Sequence, residues 1–221
     1  MDKIAMFSHV DHTLLKPTAT WAEVQTLCEE AVLHKTASVC IPPSYVKRVA
    51  DQYGEALVVC TVIGFPLGYQ LAEVKVAEAL AAIRDGALEI DMVINLGDVK
   101  NGDWDLVTAE IAAMKRAVGD RILKVIIETC HLTDAEKIRL CQCVTEGGAE
   151  YIKTSTGFGS GGATLEDIQL FKAHIGPGVK MKASGGIRTE EDMRAFLALG
   201  CERLGTSSAV KILAGEQATG Y

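Results

Sequence analysis

Short β-branched and aliphatic runs recur along the whole chain. They read as strands at FSHVDHT (7–13), SVCIPP (38–43), LVVCTVIGF (57–65), LEIDMVIN (88–95), ILKVIIET (122–129), YIKTST (151–156), VKMKAS (179–184) and RLGTSS (203–208). Helical patterns lie between them, many opening on a capping residue and closing near glycine. The clearest spans Leu71 to Asp85 and stops at Gly86. Its Val74, Ala77, Leu80 and Ala81, with Leu88 beyond, predict one buried stripe opposite Glu and Lys. Further helices are expected from Thr133 and Thr189, each with acids in the first turn.

Strands that are nearly apolar throughout, alternating with helices, predict a parallel sheet covered on its faces. About eight such units fit a (β/α)8 TIM barrel at the small end of its range. A doubly wound open sheet is the alternative. The units lack self-similarity, which argues against a solenoid. No linker interrupts the pattern, so one domain over residues 1–221 with a short C-terminal tail is expected.

Composition narrows the function. The 221 residues are 48% hydrophobic and 23% charged, with a net charge of −7. Lys and Arg are scattered, so no nucleic-acid partner is expected. The N-terminus lacks the apolar core of a signal peptide, and no run is long enough for a membrane span. Seven cysteines without disulfide-like spacing read as small buried hydrophobes in a reducing cytoplasm. Cys141 and Cys143 lack companion ligands at zinc spacing, so no metal site is expected.

The anomalies are charges inside strands: Asp91 in LEIDMVIN, Lys153 in YIKTST and Lys182 in VKMKAS. An isolated buried charge costs several kcal/mol, so each needs a partner or a task. A structural ion pair is one reading. A functional cluster is the other, favoured because active sites gather at the carboxyl ends of barrel strands. Two lysines and a carboxylate suit imine chemistry. An amine attacks a carbonyl only when neutral, a second ammonium nearby favours losing its proton, and a carboxylate relays protons.

Taken together, VDHT, SVCIPP, TVIGFPLG, EIDMVIN, KTSTGFGSGGAT, KASGGIR and GTSS resemble the deoxyribose-phosphate aldolases over nearly the whole chain. These are class I, Schiff-base aldolases with a (β/α)8 barrel. The resemblance implies that Lys153 forms the imine and that Asp91 and Lys182 transfer protons and tune the nucleophile. It implies 2-deoxy-D-ribose 5-phosphate as substrate, with D-glyceraldehyde 3-phosphate and acetaldehyde as products and no cofactor. Cytoplasmic deoxyribonucleotide catabolism and a homo-oligomer are expected with it. Lys180 shares a strand face with Lys182, and is read either as lying one layer deeper near Glu89 or as leaving the bottom of the barrel.

Loops after strands seven and eight often bind phosphate in such barrels. Gly185, Gly186, Gly205, Ser207 and Ser208 are therefore phosphate candidates, with Gly157 from the preceding loop and Arg188 as added charge. The G-x-G-x-x-G match at Gly157, Gly159 and Gly162 comes too late in the chain for a dinucleotide fingerprint. Asp11, Thr13 and Thr156 are secondary candidates. Cys40 is either pocket lining or a buried thiol, and His12 is read as packing. Phe65, Pro66 and Leu67 are read as pocket material, while His131 and the phenol of Tyr221 are further candidates. Two rivals stand beside the main reading: an imine-forming aldolase for another sugar phosphate, and a barrel that only binds phosphorylated ligands.

Overall fold

A computed structural model describes residues 2–216. Eight parallel strands close into a barrel in sequence order, which settles the barrel against the open sheet. They are β1 Val10–Thr13, β2 Ser38–Ile41, β3 Val59–Ile63, β4 Glu89–Val93, β5 Ile122–Ile126, β6 Tyr151–Lys153, β7 Lys180–Ser184 and β8 Cys201–Thr206. The helices are α1 Lys3–Phe7, α2 Trp21–His34, α3 Val46–Tyr53, α4 Ala72–Arg84, α5 Leu96–Asn101, α6 Trp104–Val118, α7 Asp134–Glu146, α8 Leu165–His174, α9 Glu190–Leu199 and α10 Ala209–Ala214. Three of them open on reciprocal capping boxes, Thr20 with Glu23, Thr133 with Glu136 and Thr189 with Asp192. The last two match the predicted helix starts.

Successive strand residues face opposite sides of a sheet. One set, including Ile90, Met92, Leu123, Val125, Ile152 and Leu204, joins Ile111, Met114, Phe171 and Phe196 of the helices in one apolar core. Burying each such side chain contributes about 1.5–3 kcal/mol, so this outer shell carries most of the fold. The alternate set is polar. Asp11, Glu89, Asp91, Lys124, Lys153 and Lys182 are all buried, and a small apolar cluster of Leu15, Cys40, Cys60 and Val62 lies beside them.

Three expectations need correction. The first predicted strand begins three residues late, at Val10, because Asp2 caps α1, which takes in Phe7, and Ser8 and His9 turn after it. β6 stops at Lys153 because the Thr154 hydroxyl bonds the Ser184 backbone on both its N–H and C=O sides, a side chain standing in for the ladder.

The stripe on α4 is the third. Val74, Leu80 and Leu88 are each about half exposed, and the buried face is Lys75, Ala79 and Ala82. Lys75 decides it. Its ammonium donates to Val93 O at 2.9 Å and to Glu110 Oε1 at 2.7 Å, beneath the end of β4. The two alanines let the helix approach closely enough for that reach. Burial pushes the Glu110 carboxyl up, while the Lys75 ammonium opposes the shift.

Candidate active site

The inward positions of six strands converge on one ion cluster. Asp91, from β4, accepts at both oxygens. Its Oδ1 takes Lys124 Nζ at 2.8 Å and Cys60 Sγ at 3.2 Å. Its Oδ2 takes Lys153 Nζ and Lys182 Nζ, each at 2.8 Å. Asp11, from β1, holds the far side of Lys182, and its Oδ1 accepts from Ser38 Oγ at 2.8 Å and Arg203 Nη1 at 2.5 Å. Glu89 lies one layer deeper, bridging Arg203 at 2.8 and 2.9 Å and Lys124 at 2.7 Å.

The electrostatics follow from that geometry. Burial pushes Asp91 up, but the Lys124, Lys153 and Lys182 ammoniums outweigh it and hold the carboxyl well below the usual range. Asp11 behaves likewise under Lys124, Lys182 and Arg203. Desolvation pulls Lys124 and Lys182 down, yet Asp11 and Asp91 raise both above an ordinary lysine. These two lysines therefore stay cationic. Lys153 differs in kind: Asp91 is its one carboxylate partner among the described residues.

Lys153 also reaches a cavity of about 110 Å³ at the carboxyl ends of the strands. Thr13, Leu15, Thr156 and Gly157 line one side of it. Ser184, Gly185, Gly186, Ile187, Arg188, Gly205, Thr206, Ser207 and Ser208 line the other. All six glycines and serines singled out as phosphate candidates are present, together with Arg188. Gly185 and Gly186 have φ of 77° and 75°, a region that favours glycine. A β-carbon at Gly205 would stand 2.8 Å from Ser184 Cβ and 3.1 Å from Lys182 Cε, so glycine there makes room for the lysine.

Most other candidates also find a place. Thr13 lines the cavity, and its hydroxyl donates to Asp11 O at 2.7 Å. Cys40 is fully buried against the small apolar cluster, as the buried-thiol reading has it. His12 points outward to Glu30 of α2 at 2.7 Å, a packing role. Phe65 and Pro66 line an apolar recess of about 400 Å³ with Leu15, Val62 and Phe158.

Others do not belong. Leu67 and His131 are exposed and line neither cavity. Lys180 is not near Glu89: it is exposed at the start of β7 and pairs with Glu202 at 2.9 Å, so it leaves the bottom of the barrel. Tyr221 lies outside the described residues.

Sequence reasoning missed Lys124, Arg203 and the role of Glu89, although each is a charge within a strand. Two groups of possible metal ligands occur among the described residues, Cys40–Cys60–Asp91 and Asp11–Cys60–Glu89. The Lys124 ammonium already contacts Cys60, Glu89 and Asp91, with Asp11 at 3.5 Å, and supplies the cation this donor set calls for.

An amine at the mouth of a closed parallel barrel, sharing a carboxylate with fixed cations and opening on a glycine-lined cavity, is the arrangement that a barrel aldolase of the lysine type calls for. The sequence agrees. Residues 5–207 match the model of the DeoC/LacD family aldolases, and the chain belongs to that family. A deoxyribose-phosphate aldolase of Clostridium botulinum (strain Alaska E43 / Type E3) is 59% identical over 221 residues, all of both chains. Another, of Clostridioides difficile (strain 630), is 56% identical over 212 residues, covering 96% of this chain and 97% of the relative. The solved tetrameric deoxyribose phosphate aldolase of Aeropyrum pernix superposes with a TM-score of 0.90 at 31% identity, covering 97% of this chain and 92% of that one.

Proposed function

We propose that the chain reversibly cleaves 2-deoxy-D-ribose 5-phosphate to D-glyceraldehyde 3-phosphate and acetaldehyde through an imine on Lys153. The observation that carries the reading is the shared Asp91 Oδ2, which places the Lys153 amine and a fixed ammonium on one acceptor. Neutral Lys153 adds to C1 of the open-chain sugar, and loss of water gives an iminium. A base takes the proton of the C3 hydroxyl, the C2–C3 bond breaks, and its electron pair flows to the iminium nitrogen. The aldehyde phosphate leaves, C2 of the enamine is protonated, and hydrolysis frees acetaldehyde and the amine. Asp91 and Lys182 carry the protons in this scheme. Gly157, Gly185, Gly186, Gly205, Ser207, Ser208 and Arg188 hold the phosphate, and Asp11 and Thr13 steady Lys182 and the sugar.

Release of acetaldehyde from 2-deoxyribose 5-phosphate tests this reading. Faster cleavage of another sugar phosphate would favour the first rival. Phosphate binding without any cleavage would favour the second.

The reading extends to a homo-oligomer in the cytoplasm. Val74, Ala77 and Leu80 give α4 an outward apolar stripe, which on a soluble protein marks a contact face. A second copy is its proposed occupant, in line with the tetramer described for the Aeropyrum pernix relative. Light scattering should find more than one chain per particle, and Leu80→Glu should lower that number. A wild-type protein that scatters as a monomer at assay concentration refutes this part.

A further inference from the structure

Glu128 lies two residues past β5 and takes no part in the ion cluster. Its backbone sits in the left-handed region, with φ of 52° and ψ of 67°. Lys35 is the one other non-glycine residue so placed among the described residues, and it caps a helix. Such a conformation is disfavoured for any residue with a β-carbon and persists where the surroundings hold it.

The side chain supplies that hold. Glu128 is 4% exposed, and it makes no ion pair among the described residues. A carboxylate withdrawn from water without a cation needs donors. Those it has belong to Thr156, in the loop after β6. The Thr156 N–H donates to its two oxygens at 3.2 and 3.3 Å, and the Thr156 hydroxyl donates to Oε2. That hydroxyl in turn accepts from the Phe158 N–H at 3.0 Å. The loop also closes over the carboxyl group: a β-carbon at Gly159 would lie 3.2 Å from Glu128 Cδ and 2.9 Å from Cys130 Sγ.

Thr156 and Gly157 line the cavity beside Lys153. We infer that Glu128 is a positioning residue for phosphate recognition: its buried carboxylate clamps the loop after β6 in the shape that receives the substrate's phosphate. The inference rests on the proposed use of this cavity for phosphate. The clamp acts on the loop and not on the amine, since Lys153 is held from the barrel floor by Asp91. A glutamine at 128 would weaken it. One acceptor oxygen remains for Thr156, but the other becomes a donor and the charge that strengthens the bond from the Thr156 hydroxyl is lost.

Steady-state cleavage of 2-deoxyribose 5-phosphate and of unphosphorylated 2-deoxyribose tests the clamp in wild type, Glu128→Gln, Thr156→Val and Thr156→Ser. Glu128→Gln and Thr156→Val should each raise KM for the phosphorylated sugar about ten-fold, as loss of a charge-assisted hydrogen bond implies, with kcat little changed. Thr156→Ser, which keeps the hydroxyl, should restore it. Turnover of unphosphorylated deoxyribose and borohydride trapping of acetaldehyde should match wild type in Glu128→Gln. Wild-type KM values in Glu128→Gln and Thr156→Val overturn the inference, as do equal losses on both sugars and in trapping. Thr156→Val decides the question if Glu128→Gln does not fold. A wild-type enzyme indifferent to the phosphate overturns the cavity reading and the clamp with it. Discrimination that survives in both variants removes the clamp alone.

Discussion

Lys153→Leu is expected to lower cleavage of 2-deoxyribose 5-phosphate at least about ten-thousand-fold, the scale seen when a covalent nucleophile is removed. Borohydride reduction of wild type with acetaldehyde should leave an ethyl group on Lys153, and the leucine variant should gain none. The geometry makes this specific to one lysine. Lys124 and Lys182 show no exposed surface, and each is shared between at least two carboxylates. Among the lysines of the described residues, Lys153 alone both reaches the cavity and has a single carboxylate partner. The variant should also fold, because Asp91 keeps Lys124 and Lys182 when Lys153 is gone. Tandem mass spectrometry that located the ethyl group on Lys182 would move the chemistry to a different strand.

The barrel was legible because apolar runs and helical runs alternate without a break, and closure adds no sequence demand beyond that alternation. Lys153, Lys182 and Asp91 were legible because a charge within a strand costs too much to be idle. The same signal marks Lys124 and Arg203, yet it does not say which way a lysine points. Lys180 and Lys182 show why: two residues apart on one strand, one meets solvent and Glu202, the other Asp11 and Asp91. A strand end lets a side chain escape, and periodicity is blind to where the strand ends in space. The stripe on α4 failed for a related reason. Hydrophobic pattern assumes that the buried face is the apolar one, and Lys75 buries itself because Glu110 comes from α6, 35 residues away. Glu128 carried no pattern at all. Its role depends on a loop 28 residues later folding over it, and its left-handed backbone has no mark in the residue type.

The ion cluster contains three carboxylates, Asp11, Glu89 and Asp91, and four basic groups, Lys124, Lys153, Lys182 and Arg203. With every group charged it holds one cation too many. Lys153 is the lysine least tied to it, with one carboxylate contact where Lys124 and Lys182 each have more. Lys124→Met removes the surplus from below. Methionine fills a similar volume and leaves each carboxylate a cationic partner, so the fold should survive a loss on the order of 3 kcal/mol. Removing one positive charge strengthens proton binding by the bases that remain, so the acidic limb of the pH–rate profile should move to higher pH. Each unit of that movement lowers the rate on the acidic side about ten-fold, recovered as the solution is made alkaline.

Stability should follow its own pH course. Asp11 and Asp91 are held low, so their contribution is present above the unfolded carboxyl pKa of about 3.9 and is lost as pH falls through the lower folded values. Lys124 is held high, so its contribution is present below the unfolded lysine pKa of about 10.4 and is lost only as pH rises through the higher folded value. The gap between wild type and Lys124→Met in denaturant should therefore be widest between about pH 4 and pH 10, and should close in acid. A variant that lost rate with an unmoved pH–rate profile would make Lys124 a structural strut, and the neutral amine would then need another cause.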